Sequence, residues 1–218
     1  MTGMPHDLRA RLVVDYQPVT PIAPPLARLL WLLPLAGLTL VAATLAFDLR
    51  GDAARLGLVG TWGASSLQAV IGLALAGAAL REAVPGREWN RTAIAWWLVL
   101  PLLWIVLVTL GSWETSPTLV RRGWWFVGVL CFGSSLASGL PVVALASVLA
   151  ARAYPTRPAV AGALLGLGAG LVADAGWRLF CHFSEPAHVL SAHVGAVLMS
   201  MLIGAWLATV ICRARRRS

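Results

Sequence analysis

The stretch GALLGLGAGLVADAGWRLFCHFSEPAHVLSAH, Gly162 to His193, decides how the rest of the chain is read. It opens apolar, with Gly162, Gly166 and Gly170 at steps of four, a spacing that lines up one helix face. The same stripe continues to Asp174 and Arg178. It then gives way to a short polar segment, Cys181 to His188, with His193 just beyond. Small residues at steps of four let helices approach closely in a membrane. Nowhere else in the chain do so many thiol, imidazole and carboxylate groups crowd together.

Working outward, the chain has 218 residues, of which 59% are hydrophobic and 12% charged, against about a quarter charged in a soluble domain. Six apolar runs stand out, at about 27–47, 58–80, 93–111, 127–150, 159–177 and 193–211. About 20 residues of helix cross the hydrocarbon layer, and in lipid the backbone must satisfy its own hydrogen bonds. The expectation is an all-α integral membrane protein with six transmembrane helices. It divides into a cytoplasmic tail at 1–25, a membrane domain at 26–212 and a basic tail at 213–218. No cleavable signal peptide is evident, because the first apolar run follows a polar, proline-rich segment.

Charge sets the expected orientation. The net charge is +8 and all 17 basic residues are arginine. They flank the apolar runs in short groups, the pattern of topology signals rather than of a nucleic-acid surface, so direct nucleic-acid binding is set aside. Twelve of them fall on the side shared by both termini and five on the other. The positive-inside rule then puts both termini in the cytoplasm. Trp31, Trp89, Trp96, Trp97 and Trp206 suit the inner interface, and Trp62, Trp113, Trp124, Trp125 and Trp177 the outer.

Within residues 1–25, Leu8, Leu12 and Tyr16 fall on one face of a short helix, followed by Pro18, Pro21, Pro24 and Pro25, which favour an extended spacer. Two readings stand: a docking helix on a tether, or a tail that is disordered or lies on lipid.

A short turn around Tyr154–Pro158 makes the fourth and fifth runs antiparallel neighbours. Taking Thr156 as its centre levels Cys131 with Cys181 on the outer side, Ser138 with Asp174, and Ser134 with Arg178. The glycine stripe is expected to face Cys131, Ser135 and Gly139 of the fourth run. Asp174 is expected either to pair with Arg178 at i,i+4 or to hold the two spans together through Ser138 or Arg178.

Cys131, Cys181, His182, His188 and His193, with Glu185, form a candidate cluster at this outer end. Thiolate and imidazole together suit zinc or copper, although no familiar ligand spacing is present and adjacent Cys and His do not easily chelate one ion. A Cys131–Cys181 disulfide is the alternative in an oxidising compartment. Any metal would be a transient ion rather than a resident cofactor. With three cysteines and no Cys-x-x-Cys, no phosphate-binding loop and no paired carboxylates, enzyme chemistry has little support.

These residues carry a resemblance. Six apolar runs, a short N-terminal tail with Leu8, Leu12, Pro18-Val19, Pro24-Pro25 and Arg28, one cysteine in the fourth run, and the segment Cys181…Ser184-Glu185…His188-Val189…His193 are together similar to the negative regulator of sigma F family. The resemblance implies a bacterial inner-membrane anti-sigma factor. It implies capture of an extracytoplasmic-function sigma factor by the tail, with Leu8, Leu12 and Tyr16 as anchors. Release would follow metal or oxidative stress read by Cys131 and Cys181. A membrane thiol oxidoreductase and a small metal transporter are the competing readings. The expected partners are the sigma factor and membrane lipid.

Overall fold

A computed structural model describes residues 21–114 and 124–217, apart from the side chains of 42–44 and 124. Leu8, Leu12 and Tyr16 lie outside the described residues. Most of the described residues are helical, and none of them is in a strand. The helices are α1 (Pro25–Leu30), α2 (Leu33–Ala46), α3 (Ala53–Glu82), α4 (Arg91–Trp113), α5 (Trp124–Ala151), α6 (Pro158–Phe180) and α7 (Pro186–Arg215). Three of them, α1, α6 and α7, begin on a proline. Its fixed φ suits the first helical turn, and its missing N–H would have had no partner there. Asn90 starts α4 by accepting the Ala93 N–H over 2.8 Å.

Five helices, α3 to α7, are long and apolar enough to cross a membrane. The first of the six expected spans is two shorter helices, because a turn at Trp31–Leu32 separates α1 from α2. Two further irregularities are π-turns, at Val59–Gly63 in α3 and Val189–Val194 in α7.

The bundle is organised around α6. Of its apolar window 83% is buried, against 17% for α4 at the periphery. A helix that is apolar on every face must be surrounded, and α6 is surrounded because small residues occupy all its faces. A Cβ on Gly168 would come within 2.6 Å of Gly72 O on α3, and one on Gly176 within 2.7 Å of Thr39 O on α2. Gly162 and Gly166 abut Gly204 and Ser200 of α7, where a Cβ would collide with backbone carbonyls. In a membrane, where apolar burial does not drive helices together, such close backbone packing favours their association.

The glycine stripe therefore faces α7, not α5 as expected. α5 meets the neighbouring face of α6, where Gly139 lies against Ala173 and Ala169. The reason lies in bulk: α7 offers Gly204 and Ser200 at matching heights, and two glycine-bearing surfaces approach more closely than a glycine and an alanine surface. Trp177, expected at an interface, is 8% exposed and donates its indole N–H to Ser138 Oγ over 3.0 Å.

At the end of the bundle where α3 and α5 finish, Glu82 ties the loops together. It accepts the Trp89 N–H and pairs with Arg157, each over 2.6 Å. Arg157 also donates to Trp89 O over 2.9 Å. The candidate site lies at the opposite end.

Candidate functional site

Four elements deliver the side chains of the site. Helix α5 carries Cys131, α6 carries Asp174 and ends at Cys181, the first turns of α7 carry His188 and His193, and α3 contributes Gln68. All six residues are between 0% and 5% exposed.

Cys181 takes an extended conformation (φ −71°, ψ 115°) as the chain leaves α6. In extended backbone successive side chains point to opposite sides, so Cys181 turns inward and His182 turns away. The His182 and Phe183 rings lie 4.2 Å apart between centroids, tilted by 40°, and Phe183 meets His188 edge-on. His182 is thus not among the grouped ligands, contrary to expectation, and neither is Glu185.

The two histidines are five residues apart, a spacing that an ordinary α-helix turns to different faces. The π-turn at Val189–Val194, whose rings close i→i+5, brings them back together, with ring centroids 5.2 Å apart. A five-residue spacing matches none of the familiar helical ligand pairs, which sit three or four residues apart on one face.

The sulfurs of Cys131 and Cys181 are 3.6 Å apart, and His188 Nε2 is 3.4 Å from Cys181 Sγ. One ligand atom from each of Cys131, Cys181, His188 and His193 lies within 4.8 Å of the others. The cysteines are free thiols, matched in depth as the hairpin arithmetic expects. Zinc bonds of about 2.3 Å to sulfur and about 2.0–2.1 Å to nitrogen imply tetrahedral edges of about 3.8 Å and about 3.6 Å. The two shortest separations come within about 0.2 Å of those edges, whereas the four atoms as a group spread up to 4.8 Å, so an ion would have to draw them closer. Val127, Phe132, Phe183 and Ala192 close the apolar shell around the sulfurs. Phe132 and Ala192 also line a groove of about 250 Å³ between α5 and α7.

A second layer of contacts orients the ligands. Asp174 Oδ1 lies 2.5 Å from His193 Nδ1, and Oδ2 accepts from Gln68 Nε2 over 2.7 Å. Gln68 also donates to Leu171 O over 3.2 Å. A carboxylate only accepts, so Nδ1 carries a proton, which leaves Nε2 as the nitrogen a metal could take. A carboxylate behind a histidine is the usual support of a metal-binding imidazole. The expected Asp174–Arg178 pair does not form as a hydrogen bond or salt bridge, nor does Asp174 reach Ser138. Gln68 and His193 arrive at the carboxylate from α3 and α7 at its own depth, whereas Arg178 sits one turn further along.

Sequence reasoning missed Arg50, counted only as an orienting charge. It forms a two-point ion pair with Asp52, at 2.6 and 2.8 Å. Its backbone N–H donates to Leu179 O over 2.9 Å and its guanidinium to Arg178 O over 3.3 Å. It also reaches Ser184 Oγ over 3.4 Å. Arg50 thus caps the C-terminus of α6, the negative end of its dipole, and holds the segment that bears Cys181.

No curated protein and no solved structure matches the chain. The family model described as negative regulator of sigma F matches residues 12–213. That covers nearly the whole chain, including the α1 segment, the Cys131 helix and the segment from Cys181 to His193, so this protein belongs to the negative regulator of sigma F family.

Proposed function

We propose that this regulator holds an extracytoplasmic-function sigma factor at the cytoplasmic face of a bacterial inner membrane and releases it when its buried thiols take up a metal ion. The family supplies the sigma factor as the regulated partner. Residues 1–25 are the docking segment, with Leu8, Leu12 and Tyr16 as apolar anchors. The single observation that carries the metal reading is the four-residue group Cys131, Cys181, His188 and His193, buried and with one ligand atom of each within 4.8 Å of the others. Two thiols and two imidazoles suit Zn²⁺, Cd²⁺ or Cu⁺. A bound ion would draw α5, the end of α6 and the start of α7 onto one point. The protein acts as a ligand-responsive binding protein rather than an enzyme.

The 3.6 Å between sulfurs also favours a second reading of the signal. A peroxide could take two electrons and two protons from the thiols, closing a disulfide and leaving water. The two readings differ in the histidines, which only the metal needs.

The test pairs binding with output. The purified chain is expected to bind one Zn²⁺ or Cd²⁺, and Cys131→Ser, Cys181→Ser or His193→Gln to lose that binding. In cells each of these variants is expected to repress sigma-dependent transcription but not to respond to metal. Normal induction with both cysteines replaced would overturn the reading. Induction that needs the cysteines but neither histidine would select the disulfide.

A further inference from the structure

Arg28 lies at the far end of the bundle from the metal site, and it is 3% exposed. Its guanidinium donates to Leu80 O over 2.8 Å and to Leu149 O over 3.3 Å. Both carbonyls have been passed over by the backbone. At the end of α3, the Ala83 N–H takes Ala79 O but the Val84 N–H takes Arg81 O, skipping Leu80 O. At the end of α5, the Arg152 N–H takes Val148 O but the Ala153 N–H takes Ala150 O, skipping Leu149 O. Each helix tightens in its last turn and leaves one carbonyl without a backbone donor. One planar guanidinium fills both, at the negative ends of two helix dipoles.

The two helices clasped by Arg28 also carry residues of the site. Helix α3 bears Gln68, which holds Asp174, and α5 bears Cys131, about 27 Å of helix away from Leu149. Arg28 itself belongs to α1, the first helix after the N-terminal segment, and the turn at Trp31–Leu32 separates it from α2. Leu29 beside it packs against Gly77 of α3.

The geometry points to Arg28 as the positioning residue that couples the metal site to the N-terminal segment. The inference rests on the metal reading above. Drawing Cys131 onto an ion displaces α5 relative to α3, and Leu149 O then moves relative to Leu80 O. One guanidinium holds both carbonyls at one spacing only. The clasp is complete in one helix arrangement and half broken in the other, and α1 has a distinct position in each. The size of the shift is bounded by the difference in metal affinity between the two arrangements.

Amide hydrogen exchange in the purified full chain, with Zn²⁺ and with a chelator, tests this. In the wild type Zn²⁺ is expected to change exchange at the Trp31, Val84 and Ala153 amides by roughly fivefold or more. Arg28→Gln is expected still to bind Zn²⁺, with an affinity shifted by no more than the factor lost from the coupling, and to lose that remote change. Arg28→Lys keeps the charge but reaches one carbonyl at a time; it is expected to unfold at the wild-type temperature and also to lose the change. Zn²⁺ binding by the wild type with no remote change, or a change that survives in both variants, overturns the clasp and leaves the metal site standing. A wild type that binds no Zn²⁺ sinks the metal reading, and the clasp falls with it.

Discussion

His193 is useful to a metal only if the correct nitrogen faces the sulfurs, and Asp174 decides which nitrogen that is. Asp174→Asn can present an amide N–H to Nδ1, favouring the wrong tautomer. Loss of such a support typically costs about 10–100-fold in metal affinity. Competition against a chromogenic chelator should therefore show Asp174→Asn weakened by that much while the protein stays folded. Unchanged affinity would mean that His193 is oriented by packing alone. Cys212, buried near the opposite end of α7, should be silent: Cys212→Ser is expected to leave metal binding and induction as in the wild type, checked in the same assays. At this scale the sequence revealed the reactive residues but not their partners. Cys131 and Cys181 could be paired because a hairpin relates their depths by simple counting. Gln68 could not, since its role depends on which face of α3 meets α6. In the sequence Arg50 is only a charge flanking a span, and Arg28 that and part of the family-like tail, whereas each caps helix carbonyls that only tertiary packing brings within reach.

Two devices govern the helices. The first is the close approach of α6 and α7 at Gly166 and Ser200. A leucine at position 166 would have to displace the α7 backbone itself, which no rotamer change can relieve. Overpacking of this kind typically costs about 1–3 kcal/mol, occasionally more. Gly166→Leu is expected to lower the unfolding temperature in detergent and to weaken Zn²⁺ binding by moving the histidines away from the thiols. Wild-type stability would show that the two helices part without penalty. The second device is the π-turn at Val189–Val194. Deleting Leu190, an exposed residue, would leave His188 and His193 four apart in regular helix and alter their approach to the thiols. The glycine stripe was plain in the sequence as a packing surface, but its partner was not. Close approach needs small residues on both helices, and both α5 and α7 supply them.

For the whole molecule, the proposed function puts sensing and docking at opposite ends of one bundle. Reporter fusions at Ser218 and near Arg87 should read cytoplasmic, and one near Glu185 should read periplasmic. A periplasmic C-terminus would undo that separation. Burial of each large apolar anchor is worth roughly 1.5–3 kcal/mol. Replacing Leu8 and Leu12 with Asp is therefore expected to abolish co-purification of the sigma factor and to raise basal transcription without touching Zn²⁺ binding. Repression by that double variant at the wild-type level would remove the docking role from the tail. The helical character, with five helices long and apolar enough to cross a membrane, was legible because apolar length decides it. The break between α1 and α2 went unread although Pro34 signals it: a proline offers no N–H to Leu30 O and its ring clashes there, so the helix turns at Trp31–Leu32.

The most direct test of the central claim is the X-ray absorption spectrum of the purified chain loaded with one equivalent of Zn²⁺. The account predicts two sulfur neighbours at about 2.3 Å and two imidazole nitrogens at about 2.0–2.1 Å. Cys181→Ser should lower the sulfur count, and His193→Gln the nitrogen count. A shell of oxygen and nitrogen alone, or a spectrum indifferent to both substitutions, would contradict it.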